Sequence, residues 1–222
     1  MAEFDAQFRM QPRDFIAGLD FYTWTRHFHV LHDLLAREQG DVIEVGTGDG
    51  VVRRCAGPFM RSYRVMDINP ALQPDVVGNL LDPQPALAAS ADAVVCAEVL
   101  EHLPFEALPR ALAQLQGFLR PGGRLYLTLP HRKAHVLFVS PRQRLRPLRF
   151  PVGLLSLSEA WNRFVRRRIW IDPHHCWEIG DGRVRRRDVE RLLAEGGWRV
   201  QSFRELPYCD CWILAHGQPP AA

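Results

Sequence analysis

The chain has 222 residues, 47% of them apolar, which is enough to fill one sizeable core. Its 28 Lys and Arg nearly balance 25 Asp and Glu, and a formal charge of +3 is too small to argue for a nucleic-acid partner. Five cysteines, an odd number in a chain of ordinary size, point to reduced thiols and exclude a disulfide framework as the organising device.

The first residues, Met1-Ala2-Glu3-Phe4-Asp5, carry acids where a secretory leader would carry basic residues before an apolar run. No apolar stretch approaches the ~18 residues of a membrane span. The expected location is therefore cytoplasmic, with no membrane partner. Residues 1–40 read as a helical preface in which Phe15, Leu19, Tyr22, Phe28, Leu31, Leu34 and Leu35 recur at helical spacing. Tyr22, Trp24, Arg26, His27 and His29 add an aromatic, basic cluster, read as packing against a sheet edge or as a lid.

From Asp41 to Pro130 strands alternate with helices. Strands are expected near 42–46, 63–67, 76–80, 93–98 and 124–129, with helices over 51–60 and 105–118. In the second helix Leu108, Ala111, Leu112 and Leu115 share a face. This alternation predicts βαβ units and a parallel sheet with helices on both sides. Right-handed crossovers then collect the loops after strands one, two and four on one edge, where a ligand binds.

The first of those loops is the most informative stretch. Val42-Ile43-Glu44-Val45 runs into Gly46-Thr47-Gly48-Asp49-Gly50, so a doubly buried strand ends in backbone bare enough for a flat ligand to lie on. Asp67 closes the next apolar run, where a carboxylate can accept both hydroxyls of a ribose. The dinucleotide fingerprint fails, because Val51 stands where its third glycine belongs. The P-loop fails as well, for want of a Gly-Lys-Ser/Thr.

Glu44-x-Gly46-x-Gly48-x-Gly50 resembles motif I of the class I S-adenosylmethionine-dependent methyltransferases, and Asp67 resembles their ribose-binding acid. Asp92-Ala93-Val94-Val95-Cys96-Ala97-Glu98-Val99-Leu100-Glu101-His102-Leu103 is similar to their fourth strand and the start of the helix after it. Leu119-Arg120-Pro121-Gly122-Gly123-Arg124-Leu125 is similar to their turn into the fifth strand. The resemblance implies an α/β, Rossmann-like methyltransferase fold. Its seven-stranded, mostly parallel sheet would end in an antiparallel hairpin, with a cap insert after strand five. It also implies S-adenosyl-L-methionine as cofactor. Gly46, Thr47, Gly48 and Gly50 would pass beneath it, Glu44 would act at the amino group, and Asp67 would hold the ribose. Ile68, Asn79 and Leu80 would contact adenine, with Ala97 and Glu98 beside the methionine part. One methyltransferase domain is expected: preface 1–40, core 41–130, cap insert 131–183, and a terminal helix and hairpin over 184–217.

Methyl transfer needs alignment, and a base where the nucleophile carries a proton. His131 directly follows strand five and is one candidate. His174 or His175, oriented by Glu178 in Asp172-Pro173-His174-His175-Cys176-Trp177-Glu178, is the other. His102 reads as packing at the helix start. Cys209, Cys211, His174, His175 and Cys176 are possible zinc ligands, but Cys-x-Cys is not the usual zinc spacing and buried free thiols are common, so no metal is expected.

Prolines 141, 147 and 151 predict irregular chain in the insert, interrupted by one helix that begins with a Ser156/Glu159 capping box. Arg132 to Arg168 holds ten Lys or Arg and one acid, Glu159. A solvated surface and recognition of an anionic small molecule both fit this composition. Phe138, Phe150, Trp161 and Phe164 read as core of the cap, so nucleic acid is disfavoured. The expected reaction is methylation of an oxygen or nitrogen on a small metabolite. RNA methylation through the basic insert, and a non-catalytic cofactor-binding module, are the alternatives.

Overall fold

The structure, a computed structural model, describes residues 11–139, 145–150, 161, 165 and 171–216. Two helices open it, α1 (Pro12–Ala17) and α2 (Phe21–Arg37). Asp20 caps α2 by accepting from Thr23 N at 2.8 Å, satisfying one of the free amides of its first turn. Then follow β1 (Asp41–Val45), α3 (Val51–Ala56), β2 (Ser62–Asp67), β3 (Val76–Val77), β4 (Ala91–Ala97), α4 (Leu108–Phe118) and β5 (Leu119–Pro130). The insert contributes β6 (Ala134–Val139) and β7 (Leu145–Phe150), and the chain closes with α5 (Arg186–Glu195), β8 (Trp198–Glu205) and β9 (Cys209–His216).

The main sheet has seven strands in the order β3-β2-β1-β4-β5-β9-β8. The pairs from β3 to β5 are parallel, and β9 returns antiparallel to β5 and β8. The order reverses between β1 and β4, so the crevice for a ligand lies at their carboxyl ends. Side chains alternate across β1 and sort the core into two layers. Ile43 and Val45 join Leu115, Leu193 and Trp212 on one face. Val42 joins Val30, Leu34, Val52 and Ile213 on the other.

Several boundaries differ from expectation, each for a local reason. The third strand stops at Val77, because the Asn79 Oδ1 accepts from Leu81 N at 2.9 Å and turns the chain. The helix over 51–60 ends at Ala56, and Pro58 sits in a 3-10 turn over Gly57–Phe59. Residues 105–107 form a separate 3-10 turn before α4. The fifth strand begins at Leu119, with an irregularity opposite Ala91 and Ala93 that takes up Pro121-Gly122-Gly123.

The buried stripe of α2 matches the expected one only in part. Leu34 is buried as expected, but Phe28 is 62% exposed and Leu35 40%, while Arg26, His27 and Asp33 are buried. In the insert, β6 and β7 pair from Ala134↔Phe150 to Val139↔Leu145, where irregular chain was expected. The capping box at Ser156 and Glu159 lies outside the described residues, as do the side chains of Phe138 and Phe150. Beyond it the chain rejoins the core: Trp177 is buried and its Nε1 donates to Leu103 O at 2.9 Å.

Candidate active site

A cavity of about 440 Å³ opens at the carboxyl ends of β1, β2 and β4. One end is walled by Ile68, Asn69, Leu72, Gly78, Asn79 and Leu80; the opposite end by Ala97, Glu98, Val99, His102 and Leu103. Val45, Gly46, Gly48, Met66 and Asp67 line it between, and Phe15 of α1 closes over it. The volume falls in the range of ordinary ligand pockets.

The glycine turn is shaped for close approach. Gly46 has φ +83°, and a Cβ there would lie 2.5 Å from Val99 Cγ2. Gly48 has φ +47°, and a Cβ there would meet nothing within 4 Å. Its missing side chain thus keeps open space at the cavity wall. The Asp67 carboxylate ties this turn to β2: Oδ2 accepts from Thr47 N at 2.6 Å and Oδ1 from Asn69 N at 2.8 Å. Each oxygen keeps a further lone pair for a hydroxyl. A bare turn, a carboxylate and a mostly apolar slot fit an adenosyl group, its ribose and a methionine tail.

The far end is buried and polar. Glu98 has φ +56°, a conformation costly outside glycine and typical of functional turns. Its Oε1 accepts from Thr128 Oγ1 and its Oε2 from Tyr208 OH, both at 2.9 Å. Arg26 of α2 donates to the same Tyr208 oxygen at 3.1 Å. Burial pushes the Glu98 carboxyl up, and Arg26 acts against that. Burial drives Tyr208 well above the usual phenol range. Beside Glu98, the Glu101 carboxylate is fully buried and neither oxygen has a hydrogen-bond partner. His102 donates through Nδ1 to His174 O at 2.9 Å, and burial lowers its pKa to about 4. The His175 ring meets His102 edge-on at 4.9 Å, and its Nδ1 is 2.9 Å from Glu178 Oε1.

The structure therefore brings Gly46, Gly48, Asp67, Ile68, Asn79, Leu80, Ala97 and Glu98 to one cavity. Thr47 contributes its backbone amide to Asp67, and Gly50 (φ +66°) ends the turn as the residue before α3. Glu44 does not line this cavity. It points to the opposite face of β1, where its Oε2 accepts from Tyr63 OH at 3.1 Å and burial raises its pKa to about 8. The expected role at the amino group is corrected accordingly: alternation along β1 turns Val45, not Glu44, to the cavity.

His131 is corrected in the same way. It is buried, its Nε2 meets Leu206 O at 2.9 Å, and its Nδ1 accepts from Lys133 N at 3.2 Å. Both nitrogens hold backbone, and the residue stands outside the cavity wall. His175 and Glu178 do pair, whereas His174 contributes its carbonyl to His102. Cys209 and Cys211 have their sulfurs 3.8 Å apart in β9, and Cys176 Sγ donates to His102 O at 3.4 Å. The thiols do not gather with the histidines into a metal-sized group among the described residues. Thr128 and Tyr208 were not expected at the site, and Arg26 only as one member of the aromatic, basic cluster read as packing or a lid. Their roles arise from contacts far apart in sequence, which no local pattern carries.

A family described as "Methyltransferase domain" matches residues 20–202. The chain belongs to this family and is a class I S-adenosylmethionine-dependent methyltransferase. No curated protein matches it. Among solved structures, the DhpI–S-adenosylhomocysteine complex is 17% identical with a TM-score of 0.63, covering 96% of this chain and 95% of that one. The N-methyltransferase NodS from Bradyrhizobium japonicum WM9 is 16% identical with a TM-score of 0.59, covering 90% of each chain. The 1,6-didemethyltoxoflavin-N1-methyltransferase of Burkholderia thailandensis is 14% identical with a TM-score of 0.55, covering 93% and 87%. At these identities the likeness is one of fold. Among the described residues no helix is long and apolar enough to cross a membrane.

Proposed function

We propose that this enzyme methylates an oxygen or nitrogen of a small metabolite that enters beside Glu98 and His102. One observation carries the reading: the Asp67 carboxylate, bound to Thr47 N and Asn69 N, faces a cavity floored by Gly46 and Gly48. When bound, S-adenosylmethionine supplies an electrophilic methyl on a positively charged sulfur.

This chain's residues do the rest by placement. Asp67 grips the ribose hydroxyls; Ile68, Asn79 and Leu80 sandwich the base. Asn79 Oδ1 already serves the turn at Leu81, so its amide NH₂ is the group left to offer the base. Gly46 and Gly48 let the tail lie against main chain. Phe15 shields the cavity from water, which keeps the reactants aligned. Glu98 is anchored by Thr128 and Tyr208, so it marks a fixed wall at the acceptor end. The pair His102 and His175, the latter oriented by Glu178, is where an acceptor proton is handled. The insert at 131–183 acts as the cap that shapes the acceptor site, and its arginines favour an anionic acceptor. Five unpaired thiols suit a reducing, cytoplasmic setting.

Calorimetry with S-adenosylhomocysteine tests the assignment. Asp67→Ala is expected to weaken binding at least about tenfold, the loss of one charge-assisted hydrogen bond or more. Equal affinity in the two proteins refutes it.

A further inference from the structure

We propose that Glu101, His102 and His175 form a binding site for one divalent transition ion at the acceptor end of the cavity. Their ligand atoms all lie within 4.8 Å of one another. Atoms sharing an ion at about 2.0–2.2 Å stand at most about 4.4 Å apart. Neighbouring ligands in a tetrahedral or octahedral site stand about 2.8–3.6 Å apart, so side-chain movements of about 1 Å close the set.

Two further features point to a cation. The first is Glu101 itself, whose two carboxylate oxygens are buried and lack any hydrogen-bond partner, with Oε1 3.9 Å from His175 Nε2. A buried carboxylate without partners is costly, and a bound cation removes that cost. The second is an outer shell of the kind that orients metal-binding histidines. His175 Nδ1 is held by Glu178 at 2.9 Å and His102 Nδ1 by the His174 carbonyl at 2.9 Å. With protons on both Nδ1 atoms, the lone pair of each ring resides on Nε2. Cys176 N also donates to Glu101 O at 2.8 Å, which pins the backbone of the Glu101 ligand to that of the histidine segment.

Two imidazoles and one carboxylate suit Mn²⁺, Co²⁺ or Zn²⁺ better than Mg²⁺, which prefers oxygen ligands. Three protein ligands leave positions for an exchangeable oxygen ligand. His102 lines the cavity, so those positions lie on the acceptor's side. A hydroxyl acceptor bound there loses its proton to water at a lower pH. Its oxygen lone pair then forms the new O–C bond while the C–S bond breaks and its electron pair stays on sulfur. This purpose rests on the methyl-transfer reading; the ion site itself does not.

The test uses the full chain, stripped with EDTA and titrated with Co²⁺ while the visible d–d absorption is followed. One equivalent is expected to bind. His175→Ala and Glu101→Gln should each weaken binding at least about 100-fold, and Glu178→Gln about 10–100-fold through the outer shell. Acetohydroxamate, a bidentate oxygen ligand, should then shift the band. No Co²⁺ binding by the wild type at millimolar concentration overturns the site, as does equal binding in the ligand variants; an unchanged band overturns the open position. S-adenosylhomocysteine affinity is measured on the same proteins. Its retention shows that a variant is folded, and its loss from the wild type would strike the methyl-transfer reading while leaving the ion site standing.

Discussion

Glu44 shows how a single residue can be right in type and sit on the other side of the sheet. Its carboxyl is buried against Tyr63 OH, with burial raising its pKa to about 8, and Asp49 adding to the rise. The unfolded value is near 4.5, so the folded chain holds a proton there that the unfolded chain gives up as pH rises. Stability from this group is complete below about pH 4.5 and is lost as pH rises toward 8. Glu44→Gln keeps the shape and removes the titration. It should raise the melting temperature at pH 8 by at least about 3 °C, roughly 1 kcal/mol for a chain of this size, and by much less at pH 5. Thermal melts at the two pH values check this; equal shifts at both would discard the buried-acid account. The motif spacing named the residue, but it could not say which face of β1 the side chain takes.

At the scale of elements, α2 is held to the sheet by polar bonds to distant chain. His27 Nε2 lies 2.9 Å from Asp49 Oδ2, and Asp49 Oδ1 accepts from Val51 N at the start of α3. Burial would raise the Asp49 carboxyl, but those bonds hold it below the usual range. Asp33 accepts from Arg204 at 2.5 Å, and Glu38 from Arg124 and Tyr126 at 2.8 and 2.7 Å. These buried polar residues take places beside Leu34 that Phe28 and Leu35 were expected to fill. A pattern of apolar residues cannot register a face whose partners stand 22 to 182 positions away. His27→Ala leaves Asp49 half-served in a buried place, at a cost of about 1–3 kcal/mol in urea denaturation. Because Asp49 belongs to the glycine turn, S-adenosylhomocysteine should also bind more weakly. Unchanged stability would show that α2 is held by its apolar contacts alone.

Across the whole molecule, the parallel core and the closing hairpin were legible because both write their burial as period and punctuation. Val42, Val94 and Leu127 come from continuous apolar runs, and Gly196-Gly197 ends α5 before Trp198. The joint between the insert and that hairpin was not legible, since it is made of charges. Arg186 donates to both Asp210 oxygens, at 2.6 and 2.7 Å, and to Glu205, which Lys133 also meets at 2.5 Å. Burial pushes Glu205 up, but the bonds from Lys133 and Arg186 outweigh it and hold it at about 2. Burial wins at Asp210, which rises to about 6 despite Arg186. Removing the arginine would leave Asp210, a fully buried carboxylate, without its two direct ionic hydrogen bonds, with only Lys133 acting on it from farther off and His131 Nε2 4.0 Å away. Arg186→Met should therefore cost about 3 kcal/mol at pH 8, as when one partner of a buried ion pair is lost. Without its cation, Asp210 takes up a proton more readily in the folded state. That proton stabilises the variant at low pH and is lost as pH rises, so the deficit should shrink toward pH 5. Urea denaturation of both proteins at pH 5 and pH 8 measures this. A deficit that is constant with pH would mean that Arg186 acts by packing on Phe203, whose ring centre lies 4.8 Å from its guanidinium carbon.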